Sequence, residues 1–394
     1  MKENKILLTA KSNYKQNIAE VLGASPTKKE LQDAEIKLIR MSANTSMFAL
    51  KFFSWIYKTL FPAFKTAYLS TDSQSNPLYL SNPRKPVVYI SNHISNLDSL
   101  ILGTNLFVNK FPYPIYASGE NLFINKTISW LLKSFGAFKI KRSNSNQKDF
   151  TILSSYIAAN IENAQAVMYF PEGSRSRNGA LKSFKKGLTR SVINTFINNQ
   201  FSSTIDDILF IPIGLAYSRV PEDIHFSGQK RTEAERSNLV KDFLVFRKDP
   251  IVSYMHVGKS ISLKSYFDKI PMGEKSTKVI TDEFSEYLRD ALQKTIPILN
   301  QDIIHYVLDD CAKESNSDYI NLPKLKKKYE LIFDHISKHH GNRLVKAKHS
   351  FSDFINHLHE RELLIVEKLK LKILKKDVIE YYSSKVKTIK EEQD

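Results

Sequence analysis

The stretch PVVYISNHISNLDSLILG, Pro86 to Gly103, changes character twice. It opens on a short apolar, β-branched run, passes through a polar segment carrying His93 and Asp98, and turns apolar again from Leu97. A short apolar run bounded by turn residues reads as a buried strand, and the longer segment Leu97–Asn109 is helix-length. Strand, loop and helix in that order make one unit of an α/β sheet. Whether His93 is a base steered by Asp98 or an ordinary loop histidine is not settled by their spacing. The same H-x4-D spacing recurs at His305 and Asp310 inside a plain amphipathic segment.

Working outward, the alternation continues. YPIYASG, GAFKI, AVMYF, ILFIPIGLAY and PIVSYMHVG are further strand-like runs between Tyr113 and Gly258. Helix-length segments separate several of them: Leu122–Phe135, Lys148–Asn163 and Gly187–Asn199. This pattern predicts an α/β fold with a mostly parallel or mixed sheet flanked by helices. We place the α/β domain at residues 81–275, a helical N-terminal region at 1–80 and a basic helical C-terminal region at 276–394. From Lys324 onward the tail carries 17 basic and 11 acidic residues.

The 394 residues include 58 Lys plus Arg against 41 Asp plus Glu, a net charge of +17. That surplus favours an acidic partner such as nucleic acid, an anionic membrane surface or a phosphorylated substrate. A nucleic-acid surface would interleave aromatics with Lys and Arg. Here the aromatics concentrate in the strands and in MFALKFFSWIYKTLFPAF, Met47–Phe64, so no nucleic-acid partner is expected. This stretch holds Lys51 and Lys58 and is closed by Pro62, which argues against a spanning helix. An aromatic helix with lysines suits an in-plane position at the headgroups, alongside the alternative of a helix packed on the core. No secretory signal is expected, since the N-terminus has only a short apolar run near Ile6. The single cysteine, Cys311, excludes an internal disulfide framework and a thiolate cluster. His335, His339 and His340 have no acidic or thiol partner in register, so no metal is expected.

A second informative stretch is FPEGSRSRNGALKSFKKG, Phe170–Gly187. It sets Glu172, Gly173, Arg175 and Arg177 directly after a strand, with Lys185 just before a helix start. Glycine lets backbone N–H groups approach an anion, and arginine offers a planar fork matched to phosphate. The loop is suited to phosphate, although it lacks the P-loop spacing. With NHISNLD (Asn92–Asp98), GAFKIKR (Gly136–Arg142) and FIPIGLAYSRV (Phe210–Val220), it makes four polar or basic blocks, each at the C-terminal end of a predicted strand. In an open α/β sheet those ends share one rim, where ligands bind.

These four blocks, in this order, resemble the glycerolipid acyltransferases with an H-x4-D motif, over roughly residues 80–265. YISNHISNLDSLIL, ASGENL, GAFKIKR, FPEGSRSRNG and PIGLAYSRV look closest to the glycerol-3-phosphate acyltransferase branch. FPEGSRS is equally similar to the lysophosphatidate branch. Lys141 and Arg142 stand where the family pairs arginines, Lys139 replaces an apolar residue, and Ser218 stands where Asp is frequent. The acceptor therefore stays open between glycerol 3-phosphate and a lysophospholipid, and a non-catalytic lipid-phosphate binder is the reading of another class. No G-x-S-x-G nucleophile elbow is present.

The resemblance implies transfer of an acyl group from acyl-CoA or acyl carrier protein, with no cofactor, at the cytoplasmic face of a membrane the protein binds peripherally. His93 would be the general base and Asp98 its orienting carboxylate. Arg175, Arg177, Lys141, Arg142 and Lys185 would hold the acceptor phosphate. Glu172, Gly173 and Pro212 would shape the loops, Pro212 by fixing the end of the last strand. His305 is expected to be a surface or boundary residue of its helix.

Overall fold

The computed structural model describes residues 2–60, 64–69, 76–141, 146–199, 205–223, 251–270, 275–315, 317–345 and 350–391. Three helices come first: α1 (Lys2–Leu22), α2 (Lys28–Met41) and α3 (Met47–Leu60). Thr27 starts α2 with a capping box, its hydroxyl accepting the Glu30 N–H while Glu30 reaches back to the Thr27 N–H. Strand β1 (Phe64–Leu69) and a short helix α4 (Pro77–Leu80) lead into the alternating part.

There the order is β2 (Val87–Ser91), α5 (Asp98–Val108), β3 (Ile115–Gly119), α6 (Lys126–Ser134), β4 (Ala137–Ile140) and α7 (Gln147–Glu162). It continues through β5 (Val167–Tyr169), α8 (Gly187–Asn199), β6 (Leu209–Tyr217), β7 (Ile251–Val257), β8 (Ile261–Ser262) and α9 (Leu263–Phe267). The sheet order is β1-β7-β6-β2-β5-β3-β4, with β8 also on β6. From β6 to β4 every pairing is parallel, and β7 joins β6 antiparallel. All six predicted strands and all four predicted helices are present.

Parallel strands covered on both faces must be apolar at successive positions. β2 meets this: Val88 and Ile90 enter one core, which holds Phe138, Val167, Phe210 and residues of α1, α2 and α7. Val87 and Tyr89 enter the other, with Leu102, Leu106, Met168 and Ile211.

The remainder comprises α10 (Thr277–Gln293), β9 (Ile298–Leu299), α11 (Asn300–Glu314), β10 (Tyr319–Asn321) and α12 (Leu322–His340). β11 (Leu344–Val345), α13 (Phe351–Glu360), β12 (Leu364–Glu367), β13 (Lys370–Ile373) and α14 (Lys376–Glu391) complete it. A third core joins these elements to the rim of the main sheet, through Ile94, Ile101, Tyr217 and Val220.

Two expectations are corrected. The N-terminal region is not wholly helical, because β1 within it pairs in parallel with β7. The C-terminal region is not wholly helical either: β10, β13 and β12 form a small antiparallel sheet and β9 pairs with β11. These strands run from two to four residues, too short to impose a visible period amid Lys-rich helices. Only KLKI, Lys370–Ile373, shows a two-residue alternation, with Leu371 and Ile373 buried.

Gly179, in the loop after β5, marks where the two parts meet. It has φ +79°, and a Cβ there would lie 1.9 Å from the Tyr381 carbonyl oxygen of α14. Gly179→Ala therefore combines an unfavourable φ with a backbone overlap that no rotamer relieves. We expect a loss of at least about 2 kcal/mol in urea unfolding. An unchanged midpoint would show that α14 does not close on this loop.

Candidate active site

His93 leaves the end of β2, and Asp98 begins α5. Between them the chain makes a tight loop whose N–H groups turn inward onto one carboxylate. Asp98 Oδ2 accepts from His93 Nδ1 at 2.8 Å, from the Ile94 N–H at 2.7 Å and from the Ser95 N–H at 2.9 Å. Its Oδ1 accepts from the Tyr217 hydroxyl at 2.7 Å. Asp98 is fully buried, whereas the His93 side chain is 14% exposed. Since the carboxylate accepts all four bonds, Nδ1 of His93 carries its proton toward Asp98 and Nε2 is left as the acceptor nitrogen. The ring is held from one side by Phe170, stacked at 4.3 Å between centroids. Asn92 anchors the strand end, exchanging two bonds with Leu215 of β6 at 2.8 and 3.0 Å.

The loop after β5 is bonded to the His93 loop directly. Buried Glu172 accepts the His93 N–H at 2.7 Å and the Lys182 N–H at 3.0 Å. The Ser176 N–H donates to the His93 carbonyl at 2.7 Å. Gly173 takes φ +69°, and the Lys185 stem packs where its Cβ would stand, Cδ lying 2.9 Å away. Lys182 Nζ caps the turn through Ser174 Oγ at 3.0 Å and the Arg175 carbonyl at 2.6 Å. Burial pushes the Glu172 carboxyl up to about 7, against the two backbone N–H bonds that favour its charged form.

Arg175 is one-third exposed and pairs with buried Glu222 at 3.2 Å through Nη1. Glu222 Oε1 also accepts the Asn96 N–H at 2.8 Å, so it bonds both loops at once. Burial raises its carboxyl above the usual range. Arg177 and Lys185 are exposed on the same loop.

Among the sequence-predicted residues, His93, Asp98, Glu172, Gly173, Arg175, Arg177 and Lys185 thus share two adjoining loops. Lys141 does not join them: it is exposed at the end of edge strand β4, three places from β2. At about 4.8 Å per strand that is roughly 14 Å. Arg142 lies outside the described residues. Pro212 does not fix a strand end, as it lies inside β6 opposite Ile90. It is tolerated because β6 has no ladder partner at that position on its other side, between the β7 and β8 pairings, where the Pro212 carbonyl accepts the Gly258 N–H.

His305 is not at the surface. It is buried, with Nδ1 2.6 Å from the Gln301 carbonyl oxygen, and burial pushes its imidazole down to about 3. It is a neutral core histidine under α14, and its partner in spacing, Asp310, pairs instead with Lys328 at 2.8 Å. Cys311 is buried, and burial raises its thiol. No group of three or more His, Cys, Asp or Glu among the described residues is arranged to hold a metal ion.

Sequence reasoning missed Tyr217, Asn92 and Glu222. Only a place at a strand end marked Asn92 and Tyr217, and Glu222 lies beyond the last motif altogether.

Residues 73–216, which carry the His93–Asp98 pair and the Arg175 loop, match the family described as Acyltransferase. The chain is 26% identical over 234 residues to dihydroxyacetone phosphate acyltransferase of Oryctolagus cuniculus, covering 58% of this chain and 34% of that protein. It is 31% identical over 195 residues to mitochondrial glycerol-3-phosphate acyltransferase 1 of Sus scrofa, covering 46% and 23%. Against the glycerol-3-phosphate acyltransferase of Pseudomonas putida it is 27% identical over 235 residues, covering 58% and 27%. The matched part spans about a third or less of these relatives. By this match and these relatives, residues 73–216 are similar to the acyltransferase part of glycerol-phosphate acyltransferases.

The raised Glu172 carboxyl gives a pH test. A carboxyl whose folded value lies above its unfolded 4.5 favours folding fully below 4.5, and that contribution is lost as pH rises through about 7. Glu172→Gln removes the titration. Relative to the wild type, the variant should therefore gain up to about 3 kcal/mol between pH 4.5 and 8. Urea unfolding at several pH values measures it, and parallel curves for the two proteins would refute the shift.

Proposed function

We propose that this chain transfers a fatty acyl group from a thioester, acyl-CoA or acyl carrier protein, to the hydroxyl of glycerol 3-phosphate. The observation that carries this is the His93–Asp98 pair, with Nε2 directed away from Asp98 and the Arg175 loop alongside. Nε2 takes the acceptor's hydroxyl proton as its oxygen attacks the thioester carbon. The C–S bond then breaks, and the imidazolium returns the proton to the leaving thiolate. Asp98 fixes the tautomer and stabilises the imidazolium. Arg175 and Arg177 hold the acceptor phosphate, with Lys185 nearby. Lys141, just past the end of the edge strand, serves a more distant part of the bound ligands.

We further propose that the protein works on an anionic membrane surface, at the cytoplasmic face. No helix among the described residues is long and apolar enough to cross a membrane. Helix α3 exposes Met47, Phe48, Phe52 and Trp55 while burying Ala49 and Leu50. The N–H groups of Asn44 and Ser46, just before it, donate to Lys133 and Ser134 of α6, near exposed Trp130 and Leu131. Aromatics and lysines on adjoining helices suit the headgroup level. Of the other residues named for this face, Phe61 and Pro62 lie outside the described residues, as do the side chains of Phe53, Tyr57, Lys58 and Phe64.

A thiol-release assay with glycerol 3-phosphate, dihydroxyacetone phosphate and 1-acylglycerol 3-phosphate in separate arms tests the reaction. We expect turnover with glycerol 3-phosphate, none in His93→Ala, and a loss of orders of magnitude in Asp98→Asn. Arg175→Ala should raise the acceptor KM roughly ten- to a hundredfold, as for one charge-assisted bond, and leave the donor KM unchanged. A rise confined to the donor KM would move the loop to the CoA phosphates. Full activity without His93 would sink the mechanism.

Flotation with phosphatidylglycerol vesicles tests the surface. Each lysine near such a membrane contributes about 1 kcal/mol, screened by salt. Binding should fall at high salt and in Phe52→Glu/Trp55→Glu, and indifference to both would refute this docking face.

A further inference from the structure

The C-terminal region has no counterpart among the four motif blocks, yet it is bonded to the back of the site. Buried Asp223 accepts from the Tyr382 hydroxyl at 2.7 Å and from Arg361 Nη2 at 2.6 Å. The same Tyr382 hydroxyl accepts the Val220 N–H at 2.8 Å. Gln301 of α11 donates to the carbonyls of Tyr217, at 3.2 Å, and Ser218. Three C-terminal elements, α11, the end of α13 and α14, therefore grip the short segment 217–223.

That segment carries two groups of the site. Tyr217 donates to Asp98, and Glu222 accepts the Asn96 N–H and pairs with Arg175. Asp223 adjoins Glu222 in sequence, so its side-chain clamp on one side fixes where the Glu222 carboxylate stands on the other. We propose that Tyr382 and Arg361 are positioning residues of the catalytic centre, acting through Asp223 to set Glu222 against Asn96 and Arg175. The C-terminal region is then a wall of the active site. The inference rests on the reading of His93 as base and Arg175 as acceptor ligand.

Tyr382→Phe tests it. The substitution keeps the ring packed against His305, with centroids 4.6 Å apart, and removes only the hydroxyl. Ser383→Ala is the control: the next residue on α14 loses a buried bond to Asp309, 2.9 Å, rather than one to segment 217–223. Hydrogen exchange of peptides covering 92–98 and 217–223 should be at least about tenfold faster in Tyr382→Phe and unchanged in Ser383→Ala. The acceptor KM should rise about tenfold in Tyr382→Phe alone, with the donor KM within about twofold of wild type. Arg361→Lys, which keeps the charge and loses the planar fork, should give the same pattern and serves if Tyr382→Phe does not fold. Wild-type exchange at 92–98 in both Tyr382→Phe and Arg361→Lys, or equal effects in Ser383→Ala, would overturn the proposal. An inactive wild type would instead refute the reaction, and the exchange comparison would still decide the linkage.

Discussion

Asp98 is fully buried, and a carboxylate left there without donors would cost several kcal/mol. The chain meets that demand with two N–H groups of its own loop, an imidazole five residues earlier in the chain and a hydroxyl from the neighbouring strand. Each donor constrains something different. The two backbone bonds fold NHISNLD into its loop, the imidazole bond sets the His93 ring, and Tyr217 fixes the register between loop and β6. Asp98 also opens α5, where the helix dipole favours negative charge. Orienting the His93 ring and folding the loop are thus one arrangement.

The same device is repeated on either side. Glu172 bonds the His93 loop to the loop after β5, and Glu222 bonds it to Arg175 and the loop after β6. Loops are the least constrained parts of an α/β fold, and here three buried carboxylates cross-brace them. The sheet order makes this possible, because β6 and β5 are the two neighbours of β2. A carboxylate leaving either strand end reaches the His93 loop without a long excursion. The cost appears in the raised carboxyls of Glu172 and Glu222, where burial outweighs the donors.

What could be read in the sequence follows the reach of its signals. β2 through β7 are apolar runs bounded by turn residues, and the sequence places them to within about two residues because a buried apolar run leaves a local mark. His93, Asp98 and the FPEGSRSR loop were visible as chemistry at strand ends. Glu222 was invisible: in RVPED nothing local separates a bracing carboxylate from a solvated one, and its partners Asn96 and Arg175 are far away in sequence. His305 failed for the opposite reason. Its helical period suggested a boundary position, but α14 covers the second face of α11 and a helix pattern cannot announce a distant lid. β1 gave no sign of joining β7 in parallel, since that pairing spans most of the domain.

Arg175 bears on why this position carries arginine. It holds Glu222 through a single nitrogen at 3.2 Å, with its side chain still one-third exposed. A guanidinium has five N–H donors in a fixed plane, so one edge can hold the buried carboxylate while another meets a phosphate from solvent. Lysine offers a compact point charge and no second edge. If it stayed with Glu222 it would be largely neutralised for the ligand, and if it turned to the ligand it would strand a buried carboxylate. Arginine escapes this choice, and its ion pair with Glu222 then places the guanidinium ready for an anion. Under the proposed function, the brace that steadies the His93 loop and the group offered to phosphate are two ends of the same contact.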